Sequence, residues 1–148
     1  MAEKTAEKVY VSNSTAETED IARKLSQALK KGDVLALYGD MGAGKTAFVR
    51  GLISGLLPQC VRLVHSPTFA IVNEYAGEDY SVYHFDFYRL KDEDDLYSIA
   101  FFDYLDRGGI IVTEWSELFA DILPPSTKSV RIEKTSEEGR RIYADFGD

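Results

Sequence analysis

The sequence is poor in cysteine and in long apolar runs, and both absences narrow the class of protein. Its single cysteine, Cys60, excludes an internal disulfide framework and fits a reducing compartment, so we expect a small buried residue there. No apolar run is long enough to span a bilayer, and the opening residues MAEKTAEKVY do not resemble a signal peptide. We therefore expect a cytoplasmic protein with no membrane partner.

The sequence also has fewer basic than acidic side chains. The chain has 17 lysine and arginine residues against 25 aspartate and glutamate residues, which gives a formal net charge of −8 at pH 7. Because binding to a polyphosphate backbone is driven mostly by lysine and arginine, this balance disfavours direct, tight binding of nucleic acid. If nucleic acid is involved, we expect another protein to hold it.

The rest of the sequence predicts one α/β domain over residues 1–148, with no internal repeat and no linker. A capping box at Ser14 and Glu17 predicts a helix that ends at Gly32. The other predicted elements are helices over residues 47–57 and 96–105, a short helix before Pro124, and strands over residues 34–38, 69–75, 80–86, 110–113, 130–132 and 142–144. Because strands alternate with helices early and form hairpins later, we expect a P-loop NTPase-like, three-layer fold with a mixed central sheet and helices on both faces.

Residues 39–46 read GDMGAGKT and match the phosphate-binding pattern G-x-x-x-x-G-K-[ST] without a mismatch. The motif lies between a predicted buried strand and a predicted helix, which is the context that a true P-loop requires. Its glycines allow successive backbone N–H groups to point at phosphate oxygens, and the following helix adds its positive N-terminal dipole. We expect Lys45 to reach the β- and γ-phosphates of a nucleotide and the Thr46 hydroxyl to bind Mg²⁺.

A P-loop site also needs a carboxylate at the end of a neighbouring strand to hold Mg²⁺ or its water. Glu114 directly follows the apolar run 110–113, and Asp86 ends the run 82–85. The cleaner apolar run precedes Glu114, so we assign Glu114 to Mg²⁺, directly or through water, and Asp86 to orienting or activating the attacking water. The residues alone leave these two roles exchangeable, and each acid is also compatible with an ordinary strand-end carboxylate.

Three further residues near these motifs are open to more than one interpretation. Thr68 follows Pro67 in a segment that can approach the γ-phosphate as nucleotide-sensing switch loops do, or that forms a turn set by the proline. Trp115, the only tryptophan, directly follows Glu114 and either lines the nucleotide site, faces a partner or packs in the core. His84 alternates with the side chains of a predicted strand, and we interpret it as structural.

Four motifs occur together in the chain, in the order GDMGAGKT, SPTF, HFDFYRL and TEW. In order and spacing they closely resemble the TsaE (YjeE) family, and the resemblance extends over nearly the whole chain. It implies a bacterial ATPase required to make N6-threonylcarbamoyladenosine in tRNA. It also implies two protein partners, TsaD and TsaB, whose complex is reset or regulated by ATP hydrolysis, so that tRNA is met only through them. The acidic net charge agrees with such an indirect role.

Carried onto this sequence, the family pattern implies a set of site residues. The implied contacts with ATP or ADP are Ser14, Asp40, Met41, Gly42, Ala43, Gly44, Lys45, Thr46, Trp115 and Arg140. The implied Mg²⁺ ligands are Thr46 and Glu114. The residues implied in hydrolysis are Lys45, Thr68, Asp86 and Glu114.

Three other functions share parts of this pattern. A small-molecule or nucleotide kinase shares the P-loop, but such kinases need an arginine-bearing lid, and the sequence has no arginine-rich insertion. A GTPase is disfavoured because the chain contains no NKxD-like sequence. A third function, a nucleotide-gated binding module in which hydrolysis is incidental, is not separated from an ATPase by the sequence.

Overall fold

A seven-stranded sheet organises the chain. The structure, a computed structural model, describes residues 7–40, 42–65, 71–88, 90–115, 119 and 121–146. Its strands are β1 (Lys8–Ser12), β2 (Val34–Tyr38), β3 (Val72–Ala76), β4 (Ser81–Asp86), β5 (Ile110–Glu114), β6 (Lys128–Lys134) and β7 (Arg140–Asp145). Its α-helices are α1 (Thr15–Leu25), α2 (Lys45–Leu56), α3 (Glu93–Ser98) and α4 (Phe101–Leu105), with short 3₁₀ helices at Ser26–Ala28 and Pro58–Leu63.

The strands lie in the order β1-β7-β6-β2-β5-β4-β3, and the sheet is mixed, as predicted. β2 pairs in parallel with β5 and β6, and β4 pairs in parallel with β5. The pairs β1–β7, β6–β7 and β3–β4 are antiparallel. Because β2, β5 and β4 are consecutive parallel neighbours, their carboxyl ends meet at one edge of the sheet, where ligands bind in open α/β folds.

Helices cover both faces of the sheet, which confirms the predicted three-layer α/β fold. On one face α1 and α2 pack on an apolar cluster that includes Leu35 and Leu37 of β2. On the other face α3 and α4 enclose an aromatic cluster. Within it the Phe87 ring centroid lies 5.3 Å from that of Phe101 and 5.6 Å from that of Phe119, both edge to face.

Strand β1 is absent from the sequence prediction. Its Val9 and Val11 are 52% and 65% exposed, so the strand shows no buried apolar pattern. The strand is instead formed by pairing with β7, in a register that runs from Lys8 opposite Ala144 to Ser12 opposite Arg140. The strand therefore lacks the apolar alternation by which the sequence analysis recognises strands.

The start of α1 follows the predicted capping box with one difference. The Glu17 N–H donates to Ser14 Oγ at 3.1 Å, as expected. The Glu17 carboxylate accepts from the Asn13 N–H at 2.6 Å, not from Ser14. The helix also ends earlier than predicted, at Leu25, and only a 3₁₀ turn continues it toward Gly32.

The single helix predicted over residues 96–105 was wrong, because the chain forms α3 and α4 there. Ala100 adopts a left-handed conformation, with φ of 59°, and interrupts the helical backbone. Asp92 caps α3 by accepting from the Asp95 N–H at 3.1 Å, so that α3 begins before residue 96. The helix predicted before Pro124 and the beginning of the strand predicted over 69–75 lie largely outside the described residues.

Two expectations drawn from composition can be compared with the structure. Cys60 is buried, and its Sγ lies 3.5 Å from the carbonyl oxygen of Ala76, which confirms the expected small buried residue. Within the described residues, no helix combines the length and the apolar composition needed to cross a membrane.

Helices α1 and α2 pack closely against each other at Gly51. A Cβ atom at this position would lie 2.3 Å from the carbonyl oxygen of Glu19 and 2.7 Å from the Ala22 Cβ. Both distances are shorter than atomic contact allows, and the first involves backbone that cannot rotate away. The absence of a side chain therefore lets α2, which carries the P-loop at its amino end, pack directly on α1.

We expect Gly51→Ala to lower the free energy of unfolding by roughly 1–3 kcal/mol, because the added methyl overpacks this crossing. The sign is informative, since alanine in place of a helical glycine otherwise stabilises a protein by about 1 kcal/mol. Denaturant titration measures the difference. The exposed α1 variant Lys24→Ala is the control and should stay within about 0.5 kcal/mol of the wild type. A Gly51→Ala protein as stable as the wild type would contradict the close contact.

Candidate functional site

The P-loop connects β2 to α2 at the carboxyl edge of the sheet. Gly44 is the N-cap of α2 and has φ of 102°, a conformation that other residues adopt only with strain. The Ala43 N–H donates to the carbonyl oxygen of Asp40 at 2.9 Å, which tightens the turn. The first turn of α2 contains no acidic residue, so no carboxylate of that turn offsets its positive dipole. This arrangement suits a bound anion.

Lys45 extends from the first position of α2 into the edge of the sheet and is only 7% exposed. Its Nζ donates to the carbonyl oxygen of Gly39 at 2.7 Å and lies 3.8 Å from Glu114 Oε1. The same ammonium is 3.9 Å from the centroid of the Trp115 ring. The structure therefore brings together the P-loop lysine, the acid assigned to Mg²⁺ and the only tryptophan.

Asp86 and Glu114 lie side by side at the ends of β4 and β5, where they are register partners. On its other side Glu114 is aligned with Leu37 of β2, two residues before the P-loop begins. Both acids are buried, at 8% and 4% exposure. Asp86 Oδ1 accepts from the Tyr88 N–H at 2.9 Å. The parallel register thus holds two carboxylates next to the phosphate-binding loop.

His84, which the sequence analysis interpreted as structural, contacts one of the two acids. It is fully buried, and its Nε2 lies 2.5 Å from Glu114 Oε2, while its Nδ1 has no hydrogen-bond partner among the described residues. The signal that points to it is periodicity: His84 is two residues before Asp86, so both side chains face the same side of β4. His84 therefore orients the carboxylate that we assigned to Mg²⁺.

Trp115 follows β5 in a left-handed conformation, with φ of 59°, which is unusual for a bulky side chain. Its ring packs against Tyr88 at a centroid distance of 5.0 Å and is partly buried against the aromatic cluster. Since Lys45 Nζ lies over the same ring, Trp115 both packs on the core and borders the site.

A cavity of about 210 Å³ opens beside the P-loop. The residues that line it come from the start of α1, the P-loop region and the end of the β6–β7 hairpin, and include Ser14, Thr15, Thr18, Gly44, Ala47 and Arg140. Two residues far apart in sequence, Ser14 and Arg140, therefore reach the same space. The Arg140 side chain also donates from Nε to the carbonyl oxygen of Ala43 at 2.7 Å.

Of the remaining predicted site residues, two lie at the P-loop and two fall outside the described part of the chain. Asp40 is exposed at the start of the P-loop, and Thr46 is partly buried in the first turn of α2. Met41 and Thr68 lie outside the described residues.

The sequence also matches a known family. The family model described as "Threonylcarbamoyl adenosine biosynthesis protein TsaE" matches residues 12–142 of the chain. The chain belongs to this family. The resemblance inferred from the four motifs is thereby confirmed.

Relatives and a solved structure agree with the TsaE assignment. Proteins named "tRNA threonylcarbamoyladenosine biosynthesis protein TsaE" from Rickettsia felis and Bacillus subtilis are 36% and 37% identical to the chain. The first match covers 89% of this chain and 76% of the relative, and the second covers 85% and 77%. The crystal structure of YdiB from Bacillus subtilis superposes with a TM-score of 0.75 at 28% identity, covering 99% of this chain and 90% of that one.

The Asp86 carboxyl group of this site has a raised pKa. Burial raises this pKa, and the nearby Glu114 charge adds to the rise, although the hydrogen bond from the Tyr88 N–H opposes it. The folded carboxyl group therefore holds its proton more tightly than the same group in the unfolded chain. Ionising it costs stability, and this cost is absent below the pKa of the unfolded chain and complete above the raised pKa.

We accordingly expect Asp86→Asn to raise the free energy of unfolding at neutral pH, in the absence of nucleotide and Mg²⁺. Asparagine keeps an oxygen that accepts from the Tyr88 N–H but carries no charge. The gain should shrink as the pH falls from the raised pKa of Asp86 to the ordinary pKa of aspartate and should vanish below it, and denaturant titrations at several pH values measure it. Asp106→Asn, at an exposed site, is the control. If Asp86→Asn instead lowered the free energy of unfolding at neutral pH, the ionised carboxylate would not be a net cost to folding stability.

Proposed function

We propose that the chain binds ATP and ADP with Mg²⁺ at the P-loop, hydrolyses ATP, and thereby supports N6-threonylcarbamoyladenosine formation in tRNA by acting on the TsaB–TsaD complex. One observation carries the proposal: Lys45 Nζ is 3.8 Å from the Glu114 carboxylate, and Asp86 is the register neighbour of Glu114. A lysine suited to binding phosphate and two carboxylates suited to Mg²⁺ and water thus share one sheet edge, which supports the proposal. The family and the names of its relatives support the pathway.

Phosphate binding would begin at the P-loop backbone. The N–H groups at the start of α2 and the helix dipole favour an anion there. Lys45 Nζ is held by the Gly39 carbonyl group and lies near Glu114, so its ammonium is already at the site. A phosphate group arriving at the loop would take over part of that interaction. Its attraction to the ammonium would be stronger there than in bulk water, because Lys45 is only 7% exposed.

Mg²⁺ fits the donors at this edge. Mg²⁺ in nucleotide sites usually takes one or two protein ligands and completes its shell with phosphate and water. The described residues contain no group of three or more histidine, cysteine, aspartate or glutamate side chains that would hold a metal alone, which agrees with this type of site. Glu114 and the Thr46 hydroxyl would hold the ion. When bound, it would neutralise charge on the transferred phosphoryl group.

Hydrolysis requires a group that orients or activates water. Asp86 suits this role because its carboxyl group is buried next to Glu114 and its raised pKa moves toward the range of a general base. Lys45 would stabilise negative charge on the phosphates as the bond to the leaving group breaks. We retain Thr68 as the proposed switch residue of the segment that approaches the γ-phosphate.

The nucleoside would occupy the cavity beside the P-loop. This cavity is lined by Ser14 and Arg140, two of the three residues that the family pattern implies as contacts outside the P-loop. It adjoins Gly44, so a nucleotide with its phosphates on the loop can extend its sugar and base into the cavity. Trp115 would border the phosphate end through its contact with Lys45.

The partners would be proteins. The net charge of −8 disfavours direct binding to tRNA, so TsaB and TsaD would hold the RNA while this chain acts on their complex. Such a role belongs in the cytoplasm.

The decisive test is Mg²⁺-dependent ATP hydrolysis by the chain alone and with TsaB and TsaD. We expect low activity alone, a rise with the partners, and a loss of roughly a hundredfold or more in Lys45→Ala, because the phosphate-stabilising cation is removed. The exposed Lys31→Ala is the matched control and should keep its activity. No response to the partners would refute the action on TsaB–TsaD, and an active Lys45→Ala protein would refute the assigned site.

Asp86 separates an ATPase from the nucleotide-gated binding module. We expect Asp86→Ala to retain ADP binding and to lose hydrolysis, since the residue is proposed to act on water. If tRNA modification reconstituted with this variant is lost, hydrolysis drives the cycle. Modification at the wild-type level would favour the binding module.

His84 should control the use of Mg²⁺ through Glu114. We expect His84→Ala to raise the Mg²⁺ concentration needed for half-maximal ATP hydrolysis by roughly tenfold to a hundredfold, because a residue that orients a metal ligand is lost. His84→Gln keeps a hydrogen-bond donor, so its Mg²⁺ requirement should lie between those of the wild type and His84→Ala. The exposed His65→Ala is the control. An unchanged Mg²⁺ requirement in a folded His84→Ala protein would assign His84 to the core alone.

A further inference from the structure

Arg140 is the first residue of β7, directly after the turn of the β6–β7 hairpin, and its guanidinium group contacts two segments at once. Nε donates to the Ala43 carbonyl oxygen at 2.7 Å and Nη2 to that of Gly42 at 3.4 Å. The carbonyl oxygens that accept from Nη1 are those of Gly139 at 2.7 Å, Ser136 at 3.2 Å and Glu137 at 3.4 Å. One side chain thus joins the P-loop to the hairpin turn.

The contacts with the P-loop fix the orientation of a peptide group. Because a peptide unit is planar and trans, a carbonyl group that points toward Arg140 turns the N–H group of the next residue the opposite way. The bond to the Ala43 carbonyl therefore sets the direction of the Gly44 N–H. Without it, rotation of this peptide plane would present a carbonyl oxygen to the phosphates and repel them.

Such rotation is easy in this loop. The residues on either side of Ala43 are Gly42 and Gly44, with φ of 83° and 102°, and glycine crosses between backbone conformations at little cost. The freedom that lets the P-loop form also permits alternative peptide orientations. A charged donor that binds the carbonyl groups selects one of them, and a hydrogen bond from a charged group is stronger than a neutral one.

We infer that Arg140 is a positioning residue, which raises affinity for the phosphates by holding the P-loop backbone and does not act through contact with the base or sugar. The inference rests on the proposed nucleotide binding and assigns Arg140 a different role from the direct contact implied by the family pattern. All three guanidinium nitrogens already donate to backbone carbonyl groups. Among the described side chains, no carboxylate forms an ion pair with Arg140.

Inorganic pyrophosphate separates the two roles, because it can occupy the P-loop but has no sugar or base. We expect Arg140→Ala to weaken the binding of ADP and of pyrophosphate by the same factor, roughly tenfold or more, as judged by calorimetry with Mg²⁺. Arg140→Lys, which keeps the charge but not the fork of donors, should recover only part of the loss. Arg141→Ala is the matched control, since Arg141 pairs with Glu133 on the other face of β7.

Hydrogen exchange of the nucleotide-free proteins gives a second readout. We expect the amides of residues 43–46 to exchange faster in Arg140→Ala than in the wild type and Arg141→Ala. If Arg140→Ala does not fold, the binding and exchange measurements on Arg140→Lys test the inference instead. Weaker ADP binding with unchanged pyrophosphate binding would overturn the inference in favour of direct contact, and unchanged binding of both would overturn any role. A wild-type protein that binds neither ligand would refute the proposed function, while the exchange rates would still report on the contact.

Discussion

The site depends on the contacts that the Glu114 carboxylate makes with His84 and Lys45. One of its oxygens is 2.5 Å from His84 Nε2 and the other is 3.8 Å from Lys45 Nζ, and the residue is 4% exposed. Removing Lys45 would take the cation away from a buried carboxylate, and removing His84 would take away the hydrogen-bond partner of the other oxygen, and both changes are costly. The sheet supplies the geometry, because β5 aligns Glu114 with Leu37 on one side and with Asp86 on the other. The pairing of three parallel strands therefore sets the distance between the phosphate loop and the second acid.

The aromatic layer fixes the direction of Asp86 from the opposite face. Phe85 and Phe87 flank it in sequence, and both pack in the aromatic cluster, where Phe85 lies edge to face on Phe101 with ring centroids 5.0 Å apart. Since successive side chains of an extended chain point to opposite faces, burying these two rings turns Asp86 toward Lys45. The carboxylate gains no stability from that position, because burial raises its pKa. Apolar packing thus maintains a charged group where the chemistry needs it, a pattern typical of functional sites.

The parts of the fold that the sequence predicted are those whose signal is local. The strands β2, β4 and β5 appear as apolar runs, the P-loop as a motif, and the strand-end acids follow from both. What the sequence did not predict has no such local signal. Ala100 interrupts the predicted helix, although no glycine or proline lies there to indicate a break. His84 reaches Glu114, 30 residues away, although its spacing from Asp86 already placed both side chains on one face. The nucleotide and Mg²⁺ contacts of these residues stay predictions.

Strand β1 contributes little to the core, but its last residue contacts segments that border the site. It exposes Val9 and Val11 at the sheet edge, and of its apolar residues only Tyr10 packs, partly buried, against the core. Its last residue, Ser12, is the register partner of Arg140, and the Ser12 hydroxyl donates to the carbonyl oxygen of Ser14 at 2.8 Å. The same hydroxyl is 2.7 Å from Thr18 Oγ1, which ties the strand to the first turns of α1. Pairing β1 with β7 therefore brings the start of α1 beside the hairpin, and the cavity next to the P-loop is the space that these segments enclose.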